Sequence, residues 1–347
     1  MPIDGRTRVL VVDDSAIVRK ILTEALSGEP DLEVVGTAPD PYIARDKILA
    51  LAPDVLTLDI EMPRMDGLTF LKKLMHFRPM PVVVISSLTQ ASCQTAMQAL
   101  ALGAVEVLAK PGGPYSVGEL RMELASKIRA AAASHVRRTA ASAPATPPPP
   151  LTADQPAPSS VIAIGASTGG TEAIAALLPK LPPGTPGVVI TQHIPAGFSR
   201  AFAMRLNQMC PLEVKEAEDG DSLGPGRVLV APGNLHMVLR KNGDAYRVAV
   251  KSGPRVCYQR PSVDVMFGSV ADAAGARAVG VLLTGMGSDG AQGLLKMHQA
   301  GARTIAQDEA SCVVFGMPKE AIRAGAVDRV VALPGIPQAI LAAIAAR

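Results

Sequence analysis

Tryptophan is absent from this chain, and aromatic residues of any kind make up only 3%. Nucleic-acid strands are gripped by stacking bases on aromatic faces, so a surface of that kind is not expected. The net charge is only +3, with Lys and Arg scattered and no basic recognition helix, so a DNA-binding output is not expected either. Cysteine is scarce. Cys93, Cys210, Cys257 and Cys312 lie far apart and form no C-x-x-C pair. Neither a disulfide framework nor a zinc site is expected, and a reducing, cytoplasmic setting fits. No apolar run reaches the ~18 residues of a membrane span, so membrane insertion is not expected. The opening "MPIDGRTRVLVVDD" meets acid where a secretory signal needs apolar residues.

What the chain does have is length and apolar content. Its 347 residues are 48% hydrophobic, enough for two buried cores. Seven prolines fall between Pro144 and Pro158. Such a stretch cannot bury apolar surface, so residues 134–158 read as a Pro/Ala-rich linker. It separates a first domain, 1–133, from a second, 159–347. Both alternate short β-branched runs with helical periodicity. In the first, "RVLVV", "EVVGT", "VLTL", "PVVVIS" and "VEVLA" predict strands. "AIVRKILTEAL" predicts a helix, with Ile17, Ile21, Leu22 and Leu26 on its apolar face. In the second, "VIAIG", "GVVITQ", "RVLVA", "VGVLLTG" and "RTIAQ" predict strands. Two short runs around Asn242-Gly243 predict a β-hairpin. The fold class is α/β in both domains, with parallel sheets covered by helices.

In the first domain Asp13 and Asp14 follow one strand, and Asp59 follows another. Open α/β sheets bind ligands at the carboxyl ends of their strands. Crowded carboxylates repel one another unless a cation joins them, and hard oxygen ligands suit Mg²⁺. Ser86 and Lys110 follow two further strands, a hydroxyl and an ammonium suited to a phosphoryl group. Each Asp taken singly also reads as a helix cap. The segments "VVDDSAIVRK", "DIEMPRMDGL", "VVVISSLT" and "AKPGG" resemble the receiver domain of bacterial response regulators, a doubly wound, flavodoxin-like fold. The resemblance implies Asp59 as phosphoacceptor, Asp13, Asp14 and Asp59 as Mg²⁺ ligands, and Ser86 and Lys110 as phosphoryl contacts. Receivers usually carry an aromatic residue three before the lysine; here Val107 stands there.

The second domain opens on "VIAIGASTGGTEAI". A dinucleotide loop, G-x-G-x-x-G, would need glycine at 167, where Ser167 stands, and no acidic ribose ligand follows ~20 residues on. The same residues match G-x-S-x-G, a serine nucleophile on a strand-to-helix turn. Of the histidines His76, His135, His193, His236 and His298, strand order places only His193 at the edge that carries Ser167; His236 is the comparison. Asp289 lies past the end of a third strand, where it also reads as a helix cap. Asp264 competes with it as the acid that orients the imidazole.

"IGASTGGTEAI", "TQHIPAGFSRAFAMRLN", "KEAEDG", "APGNLHM", "RPSVDVMF", "LTGMGSDGAQGLL" and "QDEASCVVFGMPKEAI" are similar to the catalytic domain of the chemotaxis receptor methylesterases, the CheB family. This resemblance implies Ser167 as nucleophile, His193 as base and Asp289 as orienting acid. It also implies the Met286 backbone N–H as an oxyanion donor, with Thr168 nearby. The implied activity is hydrolysis of glutamate methyl esters on chemoreceptors and deamidation of receptor glutamines, with no cofactor for the ester step. The implied partners are chemoreceptors as substrate and a chemotaxis histidine kinase as phosphodonor. The implied regulation is inhibition by the unphosphorylated receiver. The family usually has His before "RPSVD"; here it is Gln259.

Overall fold

A computed structural model describes residues 5–110, 117–134 and 160–346, with side chains of 117–120 excepted. Apart from Ser134, the expected linker lies outside the described residues, as do Pro111 to Gly113 of "AKPGG" and His135. The chain divides into two compact units, Met1–Pro144 and Ala145–Arg347. No helix among the described residues is long and apolar enough to cross a membrane.

The first unit contains β1 (Thr7–Val12), β2 (Leu32–Ala38), β3 (Val55–Asp59), β4 (Val82–Ser86) and β5 (Glu106–Ala109). They form one parallel sheet in the order β2-β1-β3-β4-β5. Residues 9–12 and 82–85 are buried, as strands with helices on both faces require. The helix Ala16–Ser27 starts where Ser15 accepts the Val18 N–H. Its buried stripe runs through Leu22, Ala25 and Leu26. Ile17, expected on that face, lies off the stripe in the first turn and is 72% exposed.

The second unit contains β6 (Val161–Ala166), β7 (Gly187–Gln192), β8 (Glu213–Glu216), β9 (Ser222–Leu223), β10 (Arg227–Val230), β11 (His236–Asn242), β12 (Ala245–Lys251), β13 (Ala278–Leu282), β14 (Arg303–Gln307) and β15 (Arg329–Val331). Seven strands form a parallel sheet in the order β15-β14-β13-β6-β7-β10-β8. β6 has β7 on one side and β13 on the other, so strand order reverses there. Such a switch point leaves a crevice at the carboxyl ends. β8 and β15 carry no strand signal in the sequence because they are edge strands of only four and three residues. β9 adds to the β11–β12 hairpin in a separate antiparallel sheet. Asn242 pairs with Ala245, so the hairpin loop is Gly243-Asp244, one residue later than the sequence signal, with φ +60° at Gly243. Glycine at the first central position is the type II′ preference.

Candidate active site and phosphoacceptor site

At the edge of the first sheet, β1, β3, β4 and β5 deliver the expected groups side by side. Asp59 ends β3, Ser86 ends β4, and Lys110 follows β5. The capping reading of Asp13 does not hold, because Ser15 supplies the helix cap. Asp13 Oδ1 accepts the Ser15 N–H at 2.8 Å, and its buried Oδ2 has no hydrogen-bond partner among the described residues. Lys110 Nζ donates to Asp59 Oδ2 at 2.7 Å and lies 3.7 Å from Asp13 Oδ2. Burial pushes the Asp59 carboxyl up to about 6, against the pull of the Lys110 hydrogen bond; the Asp13 charge adds to the rise. Burial would lower the Lys110 ammonium, but its bond to Asp59 and the surrounding carboxylates hold it above its ordinary value. Carboxylate oxygens of Asp13, Asp14 and Asp59 lie within 4.8 Å of one another. Three hard donors that close, one buried and without a hydrogen bond, fit a divalent cation. Ser86 is fully buried, and its Oγ makes only long contacts, 3.4 Å, to the Ser87 and Ser92 carbonyls. Val107 is buried in β5.

In the second unit Ser167 follows β6 directly. Gly169, at φ +74°, turns the chain into the helix Gly170–Leu177, and a Cβ there would meet Val313 Cγ2 at 2.5 Å. Ser167 N–H donates to the Thr284 carbonyl at 3.0 Å, and its own carbonyl accepts the Gly170 N–H at 2.7 Å. The register pairs Ala166 with Gln192, so His193 emerges beside Ser167 on the neighbouring strand. His193 N–H closes this edge by donating to the Ala166 carbonyl at 3.1 Å.

His193 Nε2 and Asp289 Oδ2 are 2.7 Å apart, and both side chains are buried. A carboxylate partner places the ring proton on Nε2 and leaves Nδ1 as the basic lone pair. Nδ1 is buried and unpaired among the described residues. Ser167 Oγ forms no hydrogen bond to it; catalytic hydrogen bonds are often long without substrate and tighten when it binds. Asp289 Oδ2 also accepts the Val263 N–H at 2.7 Å, while Oδ1 accepts Ser262 Oγ at 2.8 Å and the Asp264 N–H at 3.0 Å. Burial pushes this carboxyl up, but His193 and these donors overcome it and hold it below the usual carboxylate range.

Asp264, the competing acid, does not reach His193. Its Oδ1 accepts the Gly290 and Gly293 N–H groups at 3.0 and 2.6 Å, at the start of the helix Ala291–Gln299. His236 is committed on both nitrogens. Nε2 donates to the Pro254 carbonyl at 2.9 Å, and Nδ1 accepts the Ser262 N–H at 3.2 Å. It thus supports a residue that touches Asp289, and removing it is not a neutral comparison. His298 faces Asp328 and His76 packs edge-on against Phe77.

Met286 lies on the loop after β13, and its N–H has no partner among the described residues. Thr168 is buried, and its carbonyl accepts Thr284 Oγ1 at 3.0 Å. Gly285 brings this loop onto the serine: an added Cβ would lie 2.7 Å from Ser167 Cβ and 2.3 Å from Met317 Sδ. Two supporting residues escaped the sequence reading. Gln192 Nε2 donates to the Ser167 and His193 carbonyls at 2.8 and 3.2 Å. Thr284 Oγ1 accepts the Val313 and Val314 N–H groups at 3.1 and 3.0 Å. Neither carries a sequence signal, because the partners of both are backbone groups of neighbouring segments.

The CheB methylesterase family model matches residues 162–340, and the response regulator receiver domain model matches residues 9–120. The chain belongs to the CheB methylesterase family and carries a receiver domain ahead of the esterase domain. It is 57% identical over 339 residues to protein-glutamate methylesterase/protein-glutamine glutaminase 2 of Syntrophus aciditrophicus, covering 97% of this chain and 99% of that one. The protein of the same name from Salmonella typhimurium is 54% identical over 345 residues, covering 99% and 98%. The crystal structure of the Thermotoga maritima CheB methylesterase catalytic domain is similar to 54% of this chain and 99% of that one, at 37% identity and a TM-score of 0.52.

Proposed function

We propose that this protein hydrolyses γ-glutamyl methyl esters on chemoreceptors, releasing methanol, and converts specific receptor glutamines to glutamate with release of ammonia. The observation that carries the reading is the His193–Asp289 bond at 2.7 Å, with Nδ1 buried and unpaired and His193 emerging beside Ser167 on the neighbouring strand. Ser167 Oγ attacks the ester carbonyl as His193 Nδ1 takes its proton. The tetrahedral oxyanion is held by the Met286 N–H, with Thr168 beside it; such a donor typically stabilises the transition state by about 3–4 kcal/mol. The carbon–methoxy bond breaks, and His193 returns the proton to leaving methanol. Water then attacks the acyl-serine through the same base and releases glutamate. Deamidation differs only in its leaving group.

The receiver sets the rate. Asp59 accepts a phosphoryl group from a chemotaxis histidine kinase, and Ser86 and Lys110 contact its oxygens. Asp13, Asp14 and Asp59 would hold Mg²⁺, which when bound neutralises phosphoryl charge. The ester step needs no cofactor.

Methanol released from methyl-labelled receptor tests the roles. Ser167→Ala and His193→Ala should each lose on the order of 10⁴-fold or more in kcat, and Asp289→Ala one to two decades less. Near-wild-type turnover by Ser167→Ala would refute a covalent serine mechanism.

A further inference from the structure

The strand β7, "GVVITQ", is buried from end to end and closes on Gln192, an amide side chain that is only 2% exposed. The amide is bonded to both reactive residues. Nε2 donates to the Ser167 carbonyl at 2.8 Å and to the His193 carbonyl at 3.2 Å. Turned the other way, the amide would set its oxygen against two carbonyl oxygens, so these bonds fix which end is nitrogen. The oxygen is left over. Oε1 is buried and accepts no hydrogen bond among the described residues. Room is nevertheless kept for it: a Cβ at Gly170, which begins the helix after Ser167, would lie 2.2 Å from Oε1.

For stability alone, an amide is a poor choice here. A buried acceptor without a partner costs free energy, and a methionine of the same length would avoid that cost. What the amide adds is one donor shared by two carbonyls. Main-chain bonds tie each reactive residue to its neighbours. Ser167 N–H donates to the Thr284 carbonyl, the Ser167 carbonyl accepts the Gly170 N–H, and His193 N–H donates to the Ala166 carbonyl. Gln192 adds a side chain bonded to Ser167 and His193 at once.

We infer that Gln192 is a positioning residue for acyl transfer, whose amide sets the separation between the serine nucleophile and the imidazole base. This rests on the esterase reading above. Gln192 acts through the two carbonyls and not on the reacting atoms. With both backbones held to one nitrogen, only side-chain rotation is left to bring Ser167 Oγ to His193 Nδ1. A misplacement of about 1 Å in such a pair costs about 100-fold in rate. Ester hydrolysis and deamidation use the same pair, so loss of the tie slows both by the same factor.

The test uses the full-length protein with methyl-labelled receptor as the probe. Gln192→Met should lower kcat about 100-fold with KM within about twofold of wild type. Its melting temperature should stay near that of wild type, because the lost donor and the lost unpaired oxygen offset each other. Gln192→Glu keeps the shape but sets an oxygen against two carbonyl oxygens, and should lower kcat further than Gln192→Met. In both variants the ratio of deamidation to ester hydrolysis should be that of wild type. An unchanged kcat in either folded variant overturns the positioning role. So does a rise in KM alone or an altered ratio, either of which would assign Gln192 to substrate contact. A kcat that recovers when the assay is cooled, or failure of both variants to fold, would make Gln192 a support of the core and also overturns it. Ser167→Ala is assayed alongside: if it is inactive while Gln192→Met keeps its kcat, only the positioning role fails. Retained turnover in Ser167→Ala would remove the esterase reading and the positioning role with it.

Discussion

Asp289 keeps its charge in a buried setting because four donors converge on two oxygens: His193, Ser262 Oγ and the N–H groups of Val263 and Asp264. Unpaired burial would neutralise it; convergent hydrogen bonds reverse the balance. The consequence for pH has a definite sign. A carboxyl held below its ordinary 3.8 in the folded protein adds stability above that pH and loses it as pH falls through the folded value. Asp289→Asn should therefore melt below wild type at pH 7, and the gap should close as pH falls below 3.8. Thermal melts of residues 160–347 across that range provide the measurement. A gap that stays constant across it would mean that the charge is not what stabilises. At this scale the sequence was informative wherever a residue directly follows a strand. Ser167 and His193 are of that kind. Gln192 and Thr284 are not legible, because their partners are backbone groups brought together only when neighbouring strands align.

The helices Val263–Ala274 and Ala291–Gln299 exchange their caps. Asp289, which immediately precedes the second helix's Gly290, accepts N–H groups at the start of the first. Asp264, from the first turn of the first, accepts Gly290 and Gly293 at the start of the second. Each helix N-terminus, with its unpaired donors and positive dipole end, thus meets a carboxylate from the other. The sequence "SDG" reads correctly as a capping residue but points to the wrong helix, because spacing along the chain cannot reveal a cap across space. Asp264→Ala should leave the second helix's first N–H groups unpaired and lower stability by about 1–2 kcal/mol. It should also lower kcat about tenfold, since Asp289 enters that helix directly. Denaturant unfolding and methanol release measure the two effects. Unchanged stability would show that the exchanged cap is dispensable.

Across the whole molecule, two parallel sheets repeat one device: reactive groups at strand carboxyl ends. In the first they converge on Asp59, in the second on Ser167. The receiver carries no aromatic three residues before Lys110, and Val107 is buried in its place. If the unphosphorylated receiver inhibits, residues 160–347 alone should demethylate receptor faster than the unphosphorylated full chain. A small phosphodonor with Mg²⁺ should raise the full chain's rate; chelating the metal should prevent this, as should Asp59→Ala. Equal rates for the truncated and full-length unphosphorylated proteins would end the inhibition reading.

The sequence alone determined the two α/β blocks, the strand ends that carry Asp13, Asp59, Ser86, Lys110, Ser167 and His193, and the hairpin to within one residue. Those features are local, since β-branched runs and the residues directly after them depend on nearby chain. Tertiary structure decided between Asp289 and Asp264, because only spatial neighbours distinguish an acid that meets a histidine from one that meets backbone N–H groups. It decided that Asp13 is not its helix's cap, since Ser15 fills that role and leaves a buried Asp13 oxygen without a hydrogen bond. It decided that His236 is structural, by occupying both ring nitrogens. It also decided that Gly285 must be glycine, because that backbone runs against Ser167.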